Sequence, residues 1–291
     1  QTVDLVLTAI LANGHVLIEG VPGVAKTLLA RLTARLIDAD FSRVQFTPDL
    51  MPSDVLGTTV FNMKTNGFDF HQGPIFADIV LVDEINRAPA KTQAALFEVM
   101  EERQISIDGT THRMGDLYTI LATQNPVEQE GTYKLPEAQL DRFLMKITMD
   151  YPSLEEEVNI LERHHTNAAL VKLEDIVPAI TKEELLSLRA FMNQVFVDRT
   201  LLQYIALIVQ QTRTSKAVYL GASPRASVAM LQSSKAYALL QGRDFVTPED
   251  IKFVAPYVLQ HRLILTAEAE MEGYSPVKVT QRLIDKVEVP K

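Results

Sequence analysis

The sequence predicts an α/β domain with a parallel sheet flanked by helices, followed by a C-terminal all-helical domain. Short apolar runs alternate with helical patterns in the first half. The segment GVPGVAKT, residues 20–27, joins the first run to the first helix, and beyond about residue 150 only helical patterns remain. We therefore divide the chain into an α/β core at residues 1–150 and a helical domain at residues 151–291.

Five short apolar runs, rich in β-branched residues, are typical of the buried strands of a parallel sheet. They are residues 15–19 (HVLIE), 44–46 (VQF), 79–82 (IVLV), 118–123 (YTILAT) and 144–149 (LMKITM). Between these runs, Leu29, Leu32 and Leu36 follow helical spacing, and a second helical stretch surrounds Leu96 and Val99. Ligands of such domains bind at the carboxyl ends of the strands.

Two hairpins interrupt the alternation of strands and helices. Their turns contain Asn-Gly and Asp-Gly, dipeptides that accept the positive φ angles of tight hairpin turns. The two segments are residues 58–70, around Asn66-Gly67, and residues 104–114, around Asp108-Gly109. We expect both hairpins to decorate the sheet and not to extend it.

Helix-start signals mark the second half of the chain. Thr181 and Glu184 have the spacing of a capping box, in which each side chain accepts a hydrogen bond from the other's backbone N–H. Ser223-Pro224 places a capping residue and a first-turn proline before a helix that runs toward residue 242. Residues 247–250 (TPED) repeat this device.

Composition narrows the classes of function. The 291 residues include 28 Lys+Arg and 37 Asp+Glu, a net charge of −9 without any long basic run, so nucleic acid is disfavoured as the main partner. The chain has no cysteine, which excludes disulfides and Cys-ligated metals. No apolar run approaches the ~18 residues of a membrane span, and there is no signal-peptide pattern, so we expect a cytoplasmic protein. The chain opens with Gln1 and not with Met, which indicates processing or a start inside a longer chain.

The segment GVPGVAKT matches the phosphate-binding pattern G-x-x-x-x-G-K-[ST], except that Ala25 stands where glycine is usual. Backbone N–H groups from Gly23 to Thr27 would surround a phosphate at the helix N-terminus. Lys26 would reach the β- and γ-phosphates, and the Thr27 hydroxyl would bind Mg²⁺. Alanine is acceptable here if this residue has a helical φ, because only positive φ requires glycine. The alternative is an ordinary helix N-terminus that happens to contain Lys-Thr.

Acidic and amide side chains follow two of the predicted strands. Asp83 ends the run IVLV and could hold Mg²⁺ through water, while Glu84 could polarise a water molecule toward a γ-phosphate. Asn125, after the run YTILAT, could orient that water or contact the phosphate. The alternatives are a strand that ends in solvated acids and a simple Asn125-Pro126 turn.

Two arginines are candidates for contacts with a γ-phosphate. Arg142 precedes the last predicted strand, at the edge of the sheet, where an arginine can reach the nucleotide of a neighbouring subunit. The alternative is a surface ion pair with Asp141 or Glu137. Arg225 lies in the first turn of the helix that follows Ser223, where a cation opposes the helix dipole. It therefore needs an anionic partner, either a γ-phosphate or a neighbouring acid.

Together these motifs resemble those of the AAA+ ATPases over nearly the whole chain, and in detail they are similar to the MoxR family, which also has alanine at the position of Ala25. The motifs are GVPGVAKT (20–27), VDEINRAP (82–89), ATQNP (122–126), EAQLDRF (137–143) and GASPRA (221–226). The resemblance implies an AAA+ core with a helix-2 insert at about residues 58–75, a pre-sensor-1 hairpin at about residues 104–114, and a helical lid.

The resemblance also implies roles for numbered residues, with ATP and Mg²⁺ as cofactors. Glu84 of Walker B, Asn125 as sensor 1, Arg142 as arginine finger and Arg225 as sensor 2 would be catalytic, and Asp83 with the Walker A threonine would bind Mg²⁺. The nucleotide would contact Gly20, Gly23, Val24, Ala25, Lys26, Thr27 and Leu28. Only residues 1–14 precede the first predicted strand, so the adenine contacts stay unassigned.

For the whole protein, the resemblance implies a homo-oligomeric ring, usually a hexamer, that remodels or matures protein complexes like a chaperone. A partner with a von Willebrand factor A domain would be typical of the family. Three other functions remain open: a DNA-acting motor, a magnesium-chelatase-like subunit, and a nucleotide-sensing scaffold without turnover. The net charge of −9 disfavours the first, and the intact Asp83-Glu84 pair disfavours the last.

Overall fold

The computed structural model of the chain describes residues 1–125, 133–165 and 173–289. Its strands are β1 Val16–Gly20, β2 Phe41–Gln45, β3 Gly57–Asn62, β4 Gly67–Gln72, β5 Ile79–Asp83, β6 Gln104–Ile107, β7 Thr110–Arg113, β8 Thr119–Gln124, β9 Met145–Met149, β10 Val218–Leu220 and β11 Ile264–Leu265. Its α-helices are α1 Thr2–Leu11, α2 Lys26–Leu36, α3 Pro52–Leu56, α4 Ala90–Glu102, α5 Glu137–Leu140, α6 Leu154–His165, α7 Lys182–Phe191, α8 Arg199–Thr214, α9 Pro224–Leu240, α10 Pro248–Leu259, α11 Ala267–Met271 and α12 Pro276–Lys286. None of the helices in these described ranges is long and apolar enough to cross a membrane.

The main sheet has five strands in the order β2-β5-β8-β1-β9. Both β2 and β8 pair with β5 in parallel. Every residue of β5 is buried, and so is every residue of β8 except the last, because the central strands of such a sheet are covered on both faces. Four of the strands match apolar runs of the sequence to within one residue at each end, β2 begins three residues before its predicted run, and the predicted α/β class is confirmed.

The chain forms two compact units, each assembled from separate stretches. We call the first the core unit; it comprises Leu17–Lys134 and Thr148–Leu186. We call the second the helical unit; it comprises Gln1–Val16, Leu135–Ile147 and Ser187–Lys291. A boundary at residue 150 between an α/β core and a helical domain stays a prediction from the sequence.

Both predicted hairpins are present in the core unit. Strands β3 and β4 pair antiparallel around the Asn66 turn, and β6 and β7 pair antiparallel around Asp108-Gly109. Asn66, Asp108 and Gly109 have φ angles of 50°, 49° and 78°. These positive values explain why Asn, Asp and Gly occupy the turns. The function of the hairpins as an insert and as a pre-sensor-1 element remains a prediction.

Side-chain caps begin two helices as the sequence predicts. The backbone N–H of Thr181 donates to Glu184 Oε2 at 2.8 Å, and that of Glu184 donates to Thr181 Oγ1 at 3.3 Å. Likewise, the backbone N–H of Thr247 donates to Asp250 Oδ2 at 2.7 Å. The capping box of Thr181 and Glu184 is confirmed, and so is the position of Thr247 as N-cap residue with Pro248 in the first turn.

The predicted start of α9, with Ser223 before Pro224 in the first turn, is confirmed, but the Ser223 side chain makes no cap bond. Ser223 occupies the N-cap position, but its hydroxyl makes no cap and donates to Asp141 Oδ2 at 3.3 Å.

The second half of the chain also contains short strands that the sequence analysis does not predict. In the helical unit, β10 and β11 pair antiparallel through Val218↔Leu265 and Leu220↔Ile264. They contain 3 and 2 residues, too few to show an alternating pattern. Leu265 is thereby placed in a small buried cluster with Ala269, Val279 and Leu283.

The turn between β1 and α2 is tightly constrained. A Cβ atom at Gly20 would lie 2.7 Å from the carbonyl oxygen of Met149, so only glycine fits there. Gly23 has φ 88°, and Ala25, the N-cap residue of α2, has φ 57° and ψ 27°. The helical φ under which alanine would be acceptable here is therefore absent at Ala25. The left-handed residues turn successive N–H groups toward one side of the loop, and such a concavity binds anions.

We predict that Ala25→Gly stabilises the protein in the absence of nucleotide. A left-handed conformation costs a non-glycine residue about 1–2 kcal/mol, which exceeds the entropy that glycine adds to the unfolded chain. The midpoint of thermal unfolding, measured by calorimetry without nucleotide, should rise by about 1–3 °C.

The matched control is Ala94→Gly, at an exposed position in the interior of α4. This substitution should lower the free energy of unfolding by about 1 kcal/mol, because glycine is less favourable than alanine in the interior of a helix. If both variants lower the midpoint of thermal unfolding equally, the conformation of Ala25 carries no strain.

Candidate functional site

The loop after β1 and the start of α2 form one wall of the candidate site. Lys26, the first residue of α2, donates from Nζ to the carbonyl oxygen of Gly20 at 2.7 Å, which folds its side chain back over the loop. The first turn of α2 contains no acidic residue, and no side chain caps it. Its N-terminal N–H groups and the partial positive charge of the helix end therefore favour an anion.

Asp83 lies at the carboxyl end of β5, and its side chain is 10% exposed. Its Oδ2 accepts from Arg43 Nε on β2 at 2.6 Å, and its Oδ1 accepts from Thr123 Oγ1 on β8 at 3.1 Å. A buried carboxylate is stable only when it is paired and hydrogen-bonded, and both conditions are met here. The side chains that hold Asp83 come from the strands on either side of β5.

Glu84 follows Asp83 in a left-handed conformation, with φ 56° and ψ 51°. Its Oε2 accepts from Gln45 Nε2 at 2.7 Å and from Arg87 Nε at 3.1 Å. Its backbone N–H donates to Thr123 Oγ1 at 3.0 Å. The carboxylate thus has a defined position beside that of Asp83, and it remains about a third exposed to solvent, with 30% of the side chain accessible.

Asn125 follows β8 and is buried. Its neighbour Pro126, the second residue of the predicted turn, lies outside the described residues. Because β5, β8 and β1 are adjacent in the sheet, their carboxyl ends bring together three features: the Asp83-Glu84 pair, Asn125 and the phosphate loop. The position is the one at which α/β sheets bind ligands.

A cavity of about 570 Å³ lies beside the phosphate loop within the core unit. It is lined by Gly23, Val24, Ala25, Met149, Asp150, Tyr151, Pro152, Glu156, Asn159 and Ile160. The lining combines backbone of the loop with an aromatic ring, an amide and a carboxylate from the start of α6. The volume suits a nucleoside, since ligand pockets commonly span about 300–1,000 Å³.

The oxygen donors of the site fit Mg²⁺, a hard cation that takes few protein ligands and completes its shell with water and phosphate oxygens. Asp83 offers a carboxylate and Thr27 a hydroxyl, and these two residues would hold the ion. Across the described ranges no group of three or more His, Cys, Asp or Glu side chains forms a metal cluster. A site of this kind would therefore depend on the phosphates of the nucleotide.

The two candidate arginines belong to the helical unit. Arg142 lies in the turn between α5 and β9 and is half-buried, and Arg225 lies in the first turn of α9 and is exposed. Asp141, which the sequence suggested as a partner for Arg142, accepts from Arg262 Nε at 2.6 Å. The proposed roles of both arginines remain predictions.

Sequence reasoning missed the polar residues of β2 that contact the two acids. Arg43 and Gln45 alternate with the buried Val44, so both side chains lie on one face of the strand, and Arg43 Nη2 donates to Gln45 Oε1 at 3.1 Å. Gln45 is directly opposite Asp83 in the strand register. The alternation of polar and apolar residues was the available signal. It is hard to recognise in a short edge strand that contains a charged residue.

Two family models match the chain. The model described as "ATPase family associated with various cellular activities (AAA)" matches residues 15–145, and the model described as "AAA lid domain" matches residues 210–285. The first range includes the phosphate loop, the two acids, Asn125 and Arg142, and the second includes Arg225.

Similar proteins cover most of the chain. The uncharacterised protein YeaC of Bacillus subtilis is 49% identical over 98% of this chain and 88% of its own length. Chaperone MoxR1 of Mycobacterium tuberculosis is 44% identical over 100% of this chain and 78% of its own length. The crystal structure of a candidate ATPase from Cytophaga hutchinsonii is 41% identical, with a TM-score of 0.90 over 100% of this chain and 90% of that one. These findings confirm the resemblance seen in the sequence: the chain belongs to the MoxR family of AAA+ ATPases.

Proposed function

We propose that this protein hydrolyses ATP with Mg²⁺ in a ring-shaped homo-oligomer, and that hydrolysis drives the remodelling of protein complexes. The observation that carries the proposal is the meeting of the phosphate loop, the Asp83-Glu84 pair and Asn125 at the ends of three adjacent strands. A scaffold that only binds nucleotide has no need of a second, partly exposed carboxylate at that point.

The core unit would bind the nucleotide. The loop N–H groups and Lys26 would hold the β- and γ-phosphates, and the cavity lined by Tyr151 and Asn159 would receive the nucleoside. Asp83 and Thr27 would hold the metal ion. When bound, Mg²⁺ supplies charge neutralisation at the phosphate oxygens.

Glu84 would act as the general base. Water attacks the γ-phosphorus, the bond from that phosphorus to the bridging oxygen of ADP breaks, and the proton of the water passes toward the Glu84 carboxylate. Asn125 would orient the water through its amide. The hydrogen bonds from Gln45 and Arg87 keep the Glu84 carboxylate in place, but they also compete for the oxygen that must accept the proton.

Arg142 and Arg225 would complete the site. Arg142 would reach the γ-phosphate held by a neighbouring subunit, which makes turnover depend on assembly into a ring, as in the hexamers of related ATPases. Arg225, at the start of α9, would report the presence of the γ-phosphate to the helical unit. The family's arginine positions and the match of both family models support this assignment.

The remodelling step would act on protein clients, since a net charge of −9 opposes contact with DNA. The β3–β4 hairpin presents an exposed apolar surface, with Phe61, Met63 and Phe68 at 46%, 88% and 73% exposure, which suits contact with another protein. The relative called Chaperone MoxR1 supports a chaperone-like role. We also propose a partner that contains a von Willebrand factor A domain. We further propose that the protein described here is cytoplasmic.

We predict that Glu84→Gln abolishes turnover while nucleotide binding persists. The amide keeps the size of the side chain but cannot accept the proton, so phosphate release should fall about 10²- to 10⁴-fold. Binding of a fluorescent ATP analogue should stay within about twofold, because Glu84 is not a binding group in this scheme. Turnover at the wild-type rate would remove Glu84 from its role.

We also predict that ATP turnover per subunit rises with protein concentration, since Arg142 completes the site of a neighbour. Arg142→Ala should lower turnover about 10³-fold at concentrations where the wild type is fully assembled. The measurement is phosphate release per subunit across a wide concentration range, with mass measured by light scattering at each point.

A flat rate in a protein that is monomeric throughout would contradict this assignment of Arg142. Adding duplex DNA serves as a control for the DNA-motor alternative, and it should leave the rate unchanged.

A further inference from the structure

The backbone turn that carries Arg142 is held by one buried side chain. Arg262, which follows α10, is 4% exposed, and its guanidinium reaches into the turn between α5 and β9. It donates from Nε to Asp141 Oδ1 at 2.6 Å, from Nη2 to the carbonyl oxygen of Phe143 at 2.7 Å, and from Nη1 to that of Leu144 at 3.2 Å. These bonds lie on both sides of Arg142 in the chain.

Residues 141–144 form a turn that belongs to neither a helix nor a strand. Besides the bonds above, Arg262 Nη2 donates to the carbonyl oxygen of Asp141 at 3.2 Å, and Nη1 donates to that of Val258. A guanidinium has five N–H donors in a rigid plane, and here that plane is matched to a set of carbonyl oxygens. The backbone N–H groups of Arg142 and Phe143 also donate to the carbonyl oxygens of Gln139 and Leu140, and Arg262 adds its side-chain bonds to these.

The two residues before Arg262 reinforce this contact. Gln260 Nε2 donates to the carbonyl oxygen of Lys146 at 2.5 Å, and His261 Nε2 lies 3.0 Å from the carbonyl oxygen of Phe143. Burial, together with the positive charge of Arg262, keeps the pKa of His261 well below its usual value, so the ring stays neutral at neutral pH. A neutral ring can donate from Nε2 to this carbonyl. Residues 260–262 therefore act as one clamp on residues 141–146.

Asp141 links this clamp to the second candidate arginine. One of its carboxylate oxygens accepts from Arg262, and the other accepts from the hydroxyl of Ser223, which begins α9. Burial lowers the pKa of Arg262, and so does the positive charge of Arg225, whereas Asp141 raises it. Arg225 is therefore close enough to interact with Arg262 electrostatically. The Asp141 carboxylate thus connects the turn that contains Arg142 with the start of α9, where Arg225 lies.

We propose that Arg262 is a positioning residue for Arg142: it fixes the turn from which Arg142 reaches the nucleotide of the neighbouring subunit. The proposal rests on the proposed function, in which Arg142 acts in trans. Arg262 itself touches no nucleotide. Its loss should damage the finger that a subunit offers, while the subunit's own nucleotide site stays intact.

The test is turnover of mixed oligomers. A subunit with Arg262→Met keeps Glu84 but offers a displaced finger, and a subunit with Glu84→Gln keeps the finger but cannot hydrolyse. Alone, Arg262→Met should lose at least about tenfold in turnover, less than Arg142→Ala, because displacement weakens the finger without removing it. Its binding of a fluorescent ATP analogue should stay within about twofold of wild type.

Two inactive variants restore activity when mixed only if each lacks a different component of the site that two neighbouring subunits form together. Equal amounts of Arg262→Met and Glu84→Gln should recover turnover toward about a quarter of the wild-type value, the fraction of interfaces that pair an intact Glu84 with an intact finger in a random ring. Arg142→Ala mixed with Glu84→Gln should recover in the same way. Arg262→Met mixed with Arg142→Ala should not recover, because both lack a working finger.

Arg243→Met is the matched control. Arg243 donates to Asp250 at 2.6 and 2.8 Å in the same unit, so its loss removes a comparable partly buried ion pair at a different place. It should lower the unfolding temperature but keep turnover at moderate temperature. Arg262→Lys replaces Arg262→Met in every arm if the latter does not fold, since lysine keeps the charge but lacks the planar fork.

Amide hydrogen exchange gives a readout that needs no nucleotide. In Arg262→Met, peptides that cover residues 141–146 should exchange at least about tenfold faster than in wild type, whereas Arg243→Met should leave them unchanged. Unchanged exchange in Arg262→Met would overturn the inference.

The two possible failures can be told apart. If Arg142→Ala recovers with Glu84→Gln but Arg262→Met does not, Arg262 acts within its own subunit and the inference is wrong, while the proposed function stands. If Arg142→Ala also fails to recover, the shared site itself is wrong, and the inference falls with it.

Discussion

The carboxylate of Asp83 is the group on which the candidate site depends. It ends a strand that is buried at every residue, so its negative charge is largely removed from water, which costs free energy. The cost is offset by Arg43 from β2 and by the Thr123 hydroxyl from β8. Because these partners come from the strands on either side of β5, the pairing of one carboxylate also sets the relative position of three strand ends. The same hydroxyl accepts from the backbone N–H of Glu84, so the second acid is placed by the first.

Two non-glycine residues of the site have left-handed backbone conformations, Ala25 and Glu84. Such strain costs about 1 kcal/mol or more and persists where the surrounding contacts impose it. At Glu84 the strain cannot be relieved by glycine without removing the carboxylate that the proposed chemistry needs. At Ala25 no side-chain chemistry is required, so the strain there is a property of the loop alone. The two positions therefore look alike in geometry but differ in what a substitution would remove.

The sequence predicts the sheet well because buried parallel strands are apolar throughout. It predicts the functional groups at the ends of β5 and β8 because charged or amide residues stand out after an apolar run. It does not predict the contacts of β2, where Val44 is the only buried residue and the polar side chains of Arg43 and Gln45 resemble surface positions. It also gives no φ angle, so the left-handed conformation of Ala25 cannot be predicted from it. Helix α1 carries neither a cap bond at Gln1 nor a clear start signal, and it was not predicted.

The contacts of the turn that contains Arg142 show a different limit of local reasoning. Arg262 and Asp141 are 121 residues apart, and no spacing rule connects them. A sequence motif around Arg142 identifies the residue that would touch a phosphate, but not the side chain that fixes the turn beneath it. Arginine suits such a turn because five N–H donors lie in one rigid plane, whereas lysine has three donors on a single nitrogen at the end of a flexible chain. A turn outside any helix or strand can thus be held by the donors of one buried guanidinium, as Arg262 holds the turn around Arg142.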